Sequence, residues 1–281
     1  MTISGRWPPE AGWQSDAMDY AAHFHREILA FEAAARRAVG ADEAPAVPSC
    51  PDWTMSDLVQ HLGGVHRYVI RVLEERPTRA LDPMDPVIYR LPEDREGWPV
   101  LGAAPNHGPL AEGLIDWFAD GAATLESTFR SSDSSDSVWT WSTQQTVGFW
   151  LRMQVIEAAV HRWDAERATG EPGPVDPELA TDAIAQTFEV MVPAGRSRNS
   201  APRGSGERYR FSRTDGTDSW TVQFEGDDIL VTDGGDPCDV EVSGTASDLM
   251  LFLWQRIPAT RIDVKGDRGV LDRYFTLVPR V

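Results

Sequence analysis

The segment FWLRMQVIEAAVHRWDAERATG, residues 149–170, contains the pattern that decides the architecture of this chain. Apolar residues recur through it at helical spacing, and Gly170 is the type of residue that commonly ends a helix, so we predict a helix over residues 146–168. Glu157 and His161 lie four residues apart within it. At about 100° per residue they differ by only about 40° around the helix axis and therefore share one face.

Apolar residues surround this polar pair, which makes burial plausible: Val155, Ile156, Ala158, Ala159 and Val160. A buried glutamate needs a compensating ligand or partner, because burying an unpaired charge is costly. However, Glu-x-x-x-His pairs also stabilise exposed helices or form satisfied hydrogen bonds in cores. Spacing alone leaves these interpretations and a metal site open.

Helical periodicity predicts three earlier helices, over residues 17–39, 54–75 and 110–129, and a later one over 177–191. The second begins with a capping box at Thr54 to Asp57. Between the second and third helices, repeated Pro, Asp and Gly residues break the periodicity from 76 to 109. We expect a long ordered loop or active-site cover there.

A catalytic divalent metal site needs about three nitrogen or oxygen ligands and one open position. His61, on the second helix, is the candidate third ligand beside the pair on the later helix. His23 and His25 point in nearly opposite directions, and His66 lies on a different face from His61. His107 lies in the irregular loop, from which it could reach almost any position.

Two aspartates are candidates to orient the proposed ligands. Asp164 follows His161 by three residues, and Asp57 precedes His61 by four, so each lies within one turn of a histidine. Each also has an alternative structural role. Asp57 is part of the predicted helix cap, and Asp164 could pair with a neighbouring arginine, Arg162 or Arg167.

Beyond residue 192 the pattern changes from helical to alternating. The stretch PAGRSRNSAPRGSG, residues 193–206, has the composition of a linker, and RYRFSR, SWTVQFEG, DILVTDG and DVEVSG then alternate as strands do. A helix over 246–255, a strand in RIDVKGD and a helix over 269–277 follow. We therefore predict a helical domain over 1–192, a linker over 193–206 and a smaller α+β domain over 207–281.

Composition limits the partners of this protein. The 281 residues are 41% hydrophobic and 25% charged, as in a globular protein, and the formal net charge is -18. Such a charge disfavours binding to nucleic acid or an anionic membrane. Residues 1–16 lack an export-signal pattern, and no apolar run could span a bilayer, so we expect a cytoplasmic protein. Cys50 and Cys238 lie outside any metal-binding spacing, which favours reduced, buried thiols.

Three segments of the chain resemble the mycothiol-dependent maleylpyruvate isomerase family, whose N-terminal part is a DinB-like four-helix bundle. These segments are SCPDWTMSDLVQHLGGVHRY at 49–68, the helix at 149–170 and VSGTASDLMLFLWQR at 242–256. The resemblance extends nearly end to end. It implies an α+β protein in which the bundle precedes a smaller C-terminal α+β domain.

The resemblance also implies a ligand set and a cosubstrate. In that family the histidine of the HLGG segment and the Glu and His of E-x-x-x-H-R-x-D-A bind a divalent metal, usually zinc. These positions correspond to His61, Glu157 and His161. The family uses mycothiol, a small thiol whose pKa a zinc ion with an open position would lower.

Arginines are candidates to hold anionic groups of the substrate, because a guanidinium forms charge-assisted hydrogen bonds with carboxylates. Arg152 and Arg162 lie on the helix that carries Glu157, and Arg256 lies in the LWQR segment. Arg256 is the preferred choice among the three. Its alternative interpretation is an exposed partner in a salt bridge.

Three functions remain open from sequence. The main hypothesis is a mycothiol S-transferase, in which a zinc-activated thiolate is transferred to or exchanged on an electrophilic small molecule. The alternative is a mycothiol-dependent cis–trans isomerase of the maleylpyruvate isomerase type. The third is a DinB-like binding protein without catalysis, which the complete set of His61, Glu157 and His161 disfavours.

Overall fold

The computed structural model describes residues 18–279, which form two compact units, 18–173 and 174–279. The N-terminal stretch from which we predicted the lack of an export signal lies outside the described residues. Within residues 18–279, no helix combines the length and the apolar character needed to cross a membrane.

The first unit consists of four long helices. They are α1 (Tyr20–Arg37), α2 (Met55–Glu75), α3 (Glu112–Ser131) and α4 (Val147–Thr169). Side chains cap three of these helices at their first turns: Asp19 for α1, the predicted capping box of Thr54 and Asp57 for α2, and Thr146 for α4. These caps satisfy backbone N–H groups that the helix itself leaves without partners.

The helices form a bundle in which α1 and α2 each pack against both α3 and α4. Large apolar side chains fill the space between them and are fully buried, among them Phe24, Phe31, Leu58, Leu62 and Phe118. Helix α2 approaches α3 closely at Gly63, where an added Cβ would lie 2.3 Å from the ring of Trp117. A side chain larger than hydrogen would force these helices apart.

The long connection between α2 and α3 is ordered by contacts with the bundle. It contains a short 3-10 turn at Pro86–Tyr89, and the carbonyl of Tyr89 accepts a hydrogen bond from the indole of Trp117. Gln60 donates to the carbonyl of Pro99 at 3.0 Å. The loop is therefore ordered, as predicted, and it contacts α2 on both sides of His61.

The second unit contains a five-stranded mixed sheet and four helices. The strands are β1 (Gly204–Arg213), β2 (Ser219–Gly226), β3 (Asp228–Asp233), β4 (Val240–Gly244) and β5 (Asp263–Gly266), in the order β3-β2-β1-β4-β5. Strands β1 and β4 are parallel, and the other neighbours are antiparallel. The helices are α5 (Pro177–Gln186), α6 (Val192–Arg198), α7 (Ala246–Leu253) and α8 (Arg268–Leu277).

Buried and more exposed side chains alternate along β1, so that one face of the sheet contributes to an apolar core. Tyr209, Phe211 and Phe224 are fully buried and contact Tyr274 of α8 at ring-centroid distances of 5.1–6.1 Å. Helix α7 packs against β1 and β4, and α5 packs against α7. The predicted α+β class, with a helical bundle before a smaller α+β part, is confirmed.

The region expected to be a linker differs from that expectation. A π-helical turn at Thr187–Met191 joins α5 to α6, so residues 193–206 contain most of α6 and the first residues of β1. Pro193 lies in the first turn of α6, where its missing N–H is tolerated. Arg196 is buried and donates to the carbonyls of Leu277, Pro202 and Gly226.

The boundary between the two compact units lies between residues 173 and 174. It therefore comes earlier in the chain than the predicted boundary at residue 192.

Candidate metal centre

Helices α2 and α4 bring together the three residues that the sequence analysis proposed as ligands. One ligand atom each from His61, Glu157 and His161 lies within 4.8 Å of the other two. The Nε2 atom of His61 is 3.3 Å from Oε1 of Glu157, and the two imidazole rings meet edge to face at 5.1 Å between centroids. Glu157 and His161 share a face of α4, as their spacing predicted.

The cluster lies at a boundary between core and solvent. The side chain of His61 is 34% exposed and that of Glu157 is 18% exposed, whereas His161 is buried. The ring of Trp53 covers the histidines from one side, with centroid distances of 4.8 Å to His61 and 6.3 Å to His161. A small molecule can therefore approach the cluster, while much of its surroundings excludes water.

Neighbouring charges keep Glu157 ionised. Burial alone would raise the pKa of this carboxyl, but the hydrogen bond with His61 and the positive potential of His61 and His161 outweigh it. The pKa of Glu157 consequently lies below its ordinary value. A carboxylate between two imidazoles supplies the negative charge that a divalent cation requires.

Asp164 orients one of the two histidines. Its Oδ2 atom is 3.0 Å from Nδ1 of His161, and Ser49 donates to its other oxygen at 2.5 Å. Asp164 is fully buried, and its Oδ2 atom also receives a long contact from the thiol of Cys50 at 4.0 Å. Because the carboxylate occupies Nδ1, Nε2 of His161 keeps the lone pair that a metal needs. The donor set and its hydrogen bonds therefore fit a divalent metal.

Asp57, the other aspartate proposed to orient a ligand, forms its hydrogen bonds with Thr54 and Asn106. Its carboxylate accepts hydrogen bonds from the backbone N–H of Thr54, from the hydroxyl of Thr54, and from the backbone and side-chain amides of Asn106. These contacts show that Asp57 caps α2, which was the alternative interpretation from sequence. Asp57 also joins the start of α2 to the long loop.

Gln154 is a neighbour of the cluster that the sequence analysis missed. It lies three residues before Glu157 on α4, is 1% exposed, and donates from Nε2 to Oε2 of Glu157 at 3.1 Å. Gln154 thus binds one carboxylate oxygen of Glu157, while His61 contacts the other. The spacing of three residues on an apolar helix was the available signal, because such residues are neighbours on the helix surface.

The other histidines have separate environments. His23 contacts Arg26 of its own helix, and His25 forms an exposed pair with Glu126 at 3.0 Å. His66 is fully buried between aromatic rings, and His107 is exposed in the long loop.

Of the arginines proposed to bind substrate anions, Arg152 and Arg162 belong to the first unit and Arg256 to the second. Arg162 is buried and donates to Glu27 at 2.8 Å and to Glu166 at 2.8 Å, so its charge is balanced within the bundle. Burial would lower the pKa of Arg162, but these carboxylates raise it above the ordinary value. Arg152 is half-buried on α4, and Arg256 follows α7 in the second unit and donates to the carbonyl of Trp254. Substrate binding by these arginines stays a prediction.

Comparisons with known proteins agree with this architecture. The chain matches the family model of the mycothiol maleylpyruvate isomerase N-terminal domain over residues 24–166 and that of the MDMPI C-terminal domain over residues 178–273. Two uncharacterized proteins of Mycobacterium tuberculosis, from strains CDC 1551 / Oshkosh and ATCC 25618 / H37Rv, are each 24% identical over 159 residues. Each of these alignments covers 56% of this chain and 72% of the relative.

Two solved structures of mycothiol-dependent maleylpyruvate isomerase, one of them a histidine-to-alanine mutant, share the fold. Their TM-scores are 0.56 and 0.58 for the unmodified enzyme and the mutant, at 13% and 14% sequence identity. In both cases the match covers 88% of this chain and 92% of the other. The first family model alone spans more than half of the sequence, and the chain therefore belongs to the mycothiol maleylpyruvate isomerase family.

Proposed function

We propose that this protein binds one divalent metal ion, zinc, through His61, Glu157 and His161 and uses mycothiol to isomerise a small molecule with a conjugated double bond. The observation that carries the proposal is the convergence of the three ligand atoms within 4.8 Å of one another. Two imidazoles and one carboxylate are a ligand set typical of catalytic zinc sites, which keep a further position open for substrate.

The residues around the cluster support a reactive site. When bound, a zinc ion lowers the pKa of a thiol that coordinates it and supplies a thiolate at neutral pH. Asp164 holds His161 in the tautomer that presents Nε2 to the metal, and Gln154 holds one oxygen of Glu157. Trp53 restricts water at the histidines, which strengthens electrostatic interactions there.

Family membership favours isomerisation over the S-transferase reaction that was the main hypothesis from sequence. Both solved relatives with this fold are described as mycothiol-dependent maleylpyruvate isomerases. Both reactions begin with a nucleophilic thiolate. They differ in whether the thiol is recovered free or remains attached to the product.

The test is to incubate zinc-loaded protein with mycothiol and maleylpyruvate and to follow all products by mass spectrometry. We expect an isomerised product, full recovery of free mycothiol and one metal ion per chain. A stable thiol conjugate without isomerised product would support the S-transferase instead. Protein that holds no stoichiometric metal and is inactive with thiols would favour a non-catalytic binding protein.

The chain supplies a matched control for the ligand set. His25 and Glu126 form a His–Glu pair at 3.0 Å on the bundle surface, comparable in chemistry to the pair of His61 and Glu157. Replacing either member of the surface pair by alanine should leave metal content and turnover unchanged. Replacing either member of the proposed site should remove both.

A further inference from the structure

A half-exposed strip of α2 extends away from the proposed metal site. His61, Val65 and Tyr68 are partly exposed, while the residues between them, 62–64 and 66–67, are all buried. The spacings of four and three residues place these three side chains on one face of the helix. Seven residues at about 1.5 Å each give this strip a length of about 10 Å along the helix axis.

The facing side of α4 contacts both ends of the strip. At one end, His61 meets Glu157 at 3.3 Å. At the other end, the ring of Tyr68 meets that of Trp150 edge to face at 6.4 Å between centroids. Trp150 and Glu157 are seven residues apart and share a face of α4. The two helices therefore oppose each other along the whole strip.

Small side chains occupy the middle of this seam on α2. Gly64 has no side chain there, and an added Cβ would lie 3.3 Å from the ring of Tyr89, which comes from the long loop. Val65 is the only partly exposed residue between His61 and Tyr68. The α2 side of the seam therefore has large side chains at His61 and Tyr68 and small ones between them.

One polar atom at this level has no protein partner. Gln154 donates its amide N–H to Glu157, but its carbonyl oxygen Oε1 is buried and has no hydrogen-bond partner among the described residues. A buried acceptor left without a donor costs free energy, so such an atom marks a place for a ligand or an ordered water.

We propose that the seam of α2 and α4 beyond the metal site is a subsite for an uncharged aryl group of the substrate, joined to the reactive carbon through a hydrogen-bond donor. The donor would reach Oε1 of Gln154, and the ring would lie towards Tyr68 and Trp150. No side chain named on the strip beyond His61 carries a charge, and aromatic walls with one placed polar group are typical of small-molecule pockets. This inference rests on the proposed function, because it extends the same site; maleylpyruvate, which has no aryl group, would occupy only the metal end of that site.

The test uses acetanilide as an unreactive probe, since it carries a carbonyl, an N–H and a phenyl ring in the proposed order. Its binding to the zinc-loaded protein is followed by ligand-observed NMR and compared with phenyl acetate, in which an ester oxygen replaces the N–H. We expect saturable binding of acetanilide and roughly threefold to tenfold weaker binding of phenyl acetate, the range for one hydrogen bond.

Two variants place the binding in the seam. Val65→Trp places a large ring in the middle of the strip and should weaken acetanilide binding about tenfold or more. Tyr68→Leu, which removes the aromatic ring at the far end, should weaken it severalfold. Leu29→Trp introduces the same indole ring at a position of α1 that is 50% exposed, and it should leave acetanilide binding unchanged. Circular dichroism and metal analysis should show that all three variants are folded and hold zinc as the parent does.

Equal binding of acetanilide to the parent and Val65→Trp would overturn the subsite, and so would no saturable binding up to about 10 mM. A parent that lacks zinc would instead contradict the proposed function, since probe binding and metal content are measured separately. Equal affinity for acetanilide and phenyl acetate would refute the role of Gln154.

Discussion

His61 and His66 lie five residues apart on α2 and have opposite environments. The side chain of His61 is 34% exposed and faces the carboxylate of Glu157, whereas His66 is fully buried between the rings of Phe24 and Phe118. Neither ring nitrogen of His66 has a hydrogen-bond partner among the described residues. Burial lowers the pKa of His66 to about 3, so at neutral pH it is an uncharged core residue.

The contrast shows that helical phase decides what a histidine can do. A separation of five residues places two side chains about 140° apart around the helix axis. His61 therefore faces α4, whereas His66 faces the apolar core between α1 and α3. The carboxylate of Glu157 makes the position of His61 suitable for a metal ligand, and aromatic packing makes His66 a structural residue.

The largest effect is expected from removing a proposed ligand. Glu157→Ala should weaken zinc binding by more than about 100-fold, beyond the usual effect of losing a residue that only orients a ligand. Inductively coupled plasma mass spectrometry after dialysis against a chelator of known affinity measures this change. His66→Leu is the control, and its zinc content should equal that of the parent. Zinc loss in His66→Leu but not in Glu157→Ala would reverse the roles assigned here.

Asp164→Asn should weaken zinc binding by about 10-fold to 100-fold, because it removes the carboxylate that orients His161. Competition with a chromogenic chelator gives the affinity. Asp116→Asn, which changes an exposed partner of Arg36 on the bundle surface, is the matched control and should leave the affinity unchanged. If both variants bind zinc as the parent does, Asp164 does not orient a metal ligand.

His66 should make stability depend on pH. In the unfolded chain it takes up a proton near pH 6.5, but in the folded protein its pKa is about 3. Unfolding therefore binds an extra proton between these values, and the free energy of unfolding falls as pH decreases from about 6.5 to about 3. His66→Leu should reduce this slope by up to about 1.4 kcal/mol per pH unit, as urea unfolding at several pH values would measure.

The charged groups that act on His66 in the fold are Glu157, Arg67, His61 and His161, and all of them remain in the variant. Phe24→Leu serves as a control, because it loosens the packing against the same ring without removing a titratable group. It should lower stability without changing the slope. An unchanged slope in His66→Leu would mean that His66 titrates alike in both states.

The smallest effect is expected at Gln154. Gln154→Met keeps the size of the side chain but removes the hydrogen bond to Oε2 of Glu157, so zinc affinity should fall about threefold to tenfold. The same chelator competition resolves this change. Gln144→Met, in an exposed loop, should have no effect. A fall as large as that of Asp164→Asn would show that Gln154 does more than hold one oxygen.

Much of the fold follows from local patterns. The strands of the second unit, the long helices and the capping box at Thr54 and Asp57 were predictable, because side-chain period and caps act over a few residues. The prediction of a linker over residues 193–206 was wrong, although the Gly, Ser and Arg residues there are typical of linkers. The structure has α6 and the start of β1 in this region. Arg196 donates hydrogen bonds to the carbonyls of Leu277 and Gly226, which are distant in sequence and therefore could not be predicted from local composition.

For the site, the sequence established that Glu157 and His161 share a face of α4, because both lie on one helix whose geometry is constant. Only the tertiary structure decided that His61 meets them, that Asp164 faces His161, and that Gln154 has an unused acceptor. It also paired Arg162 with Glu27 of α1. Contacts between helices depend on how distant segments pack, and the spacing within one segment does not contain that information.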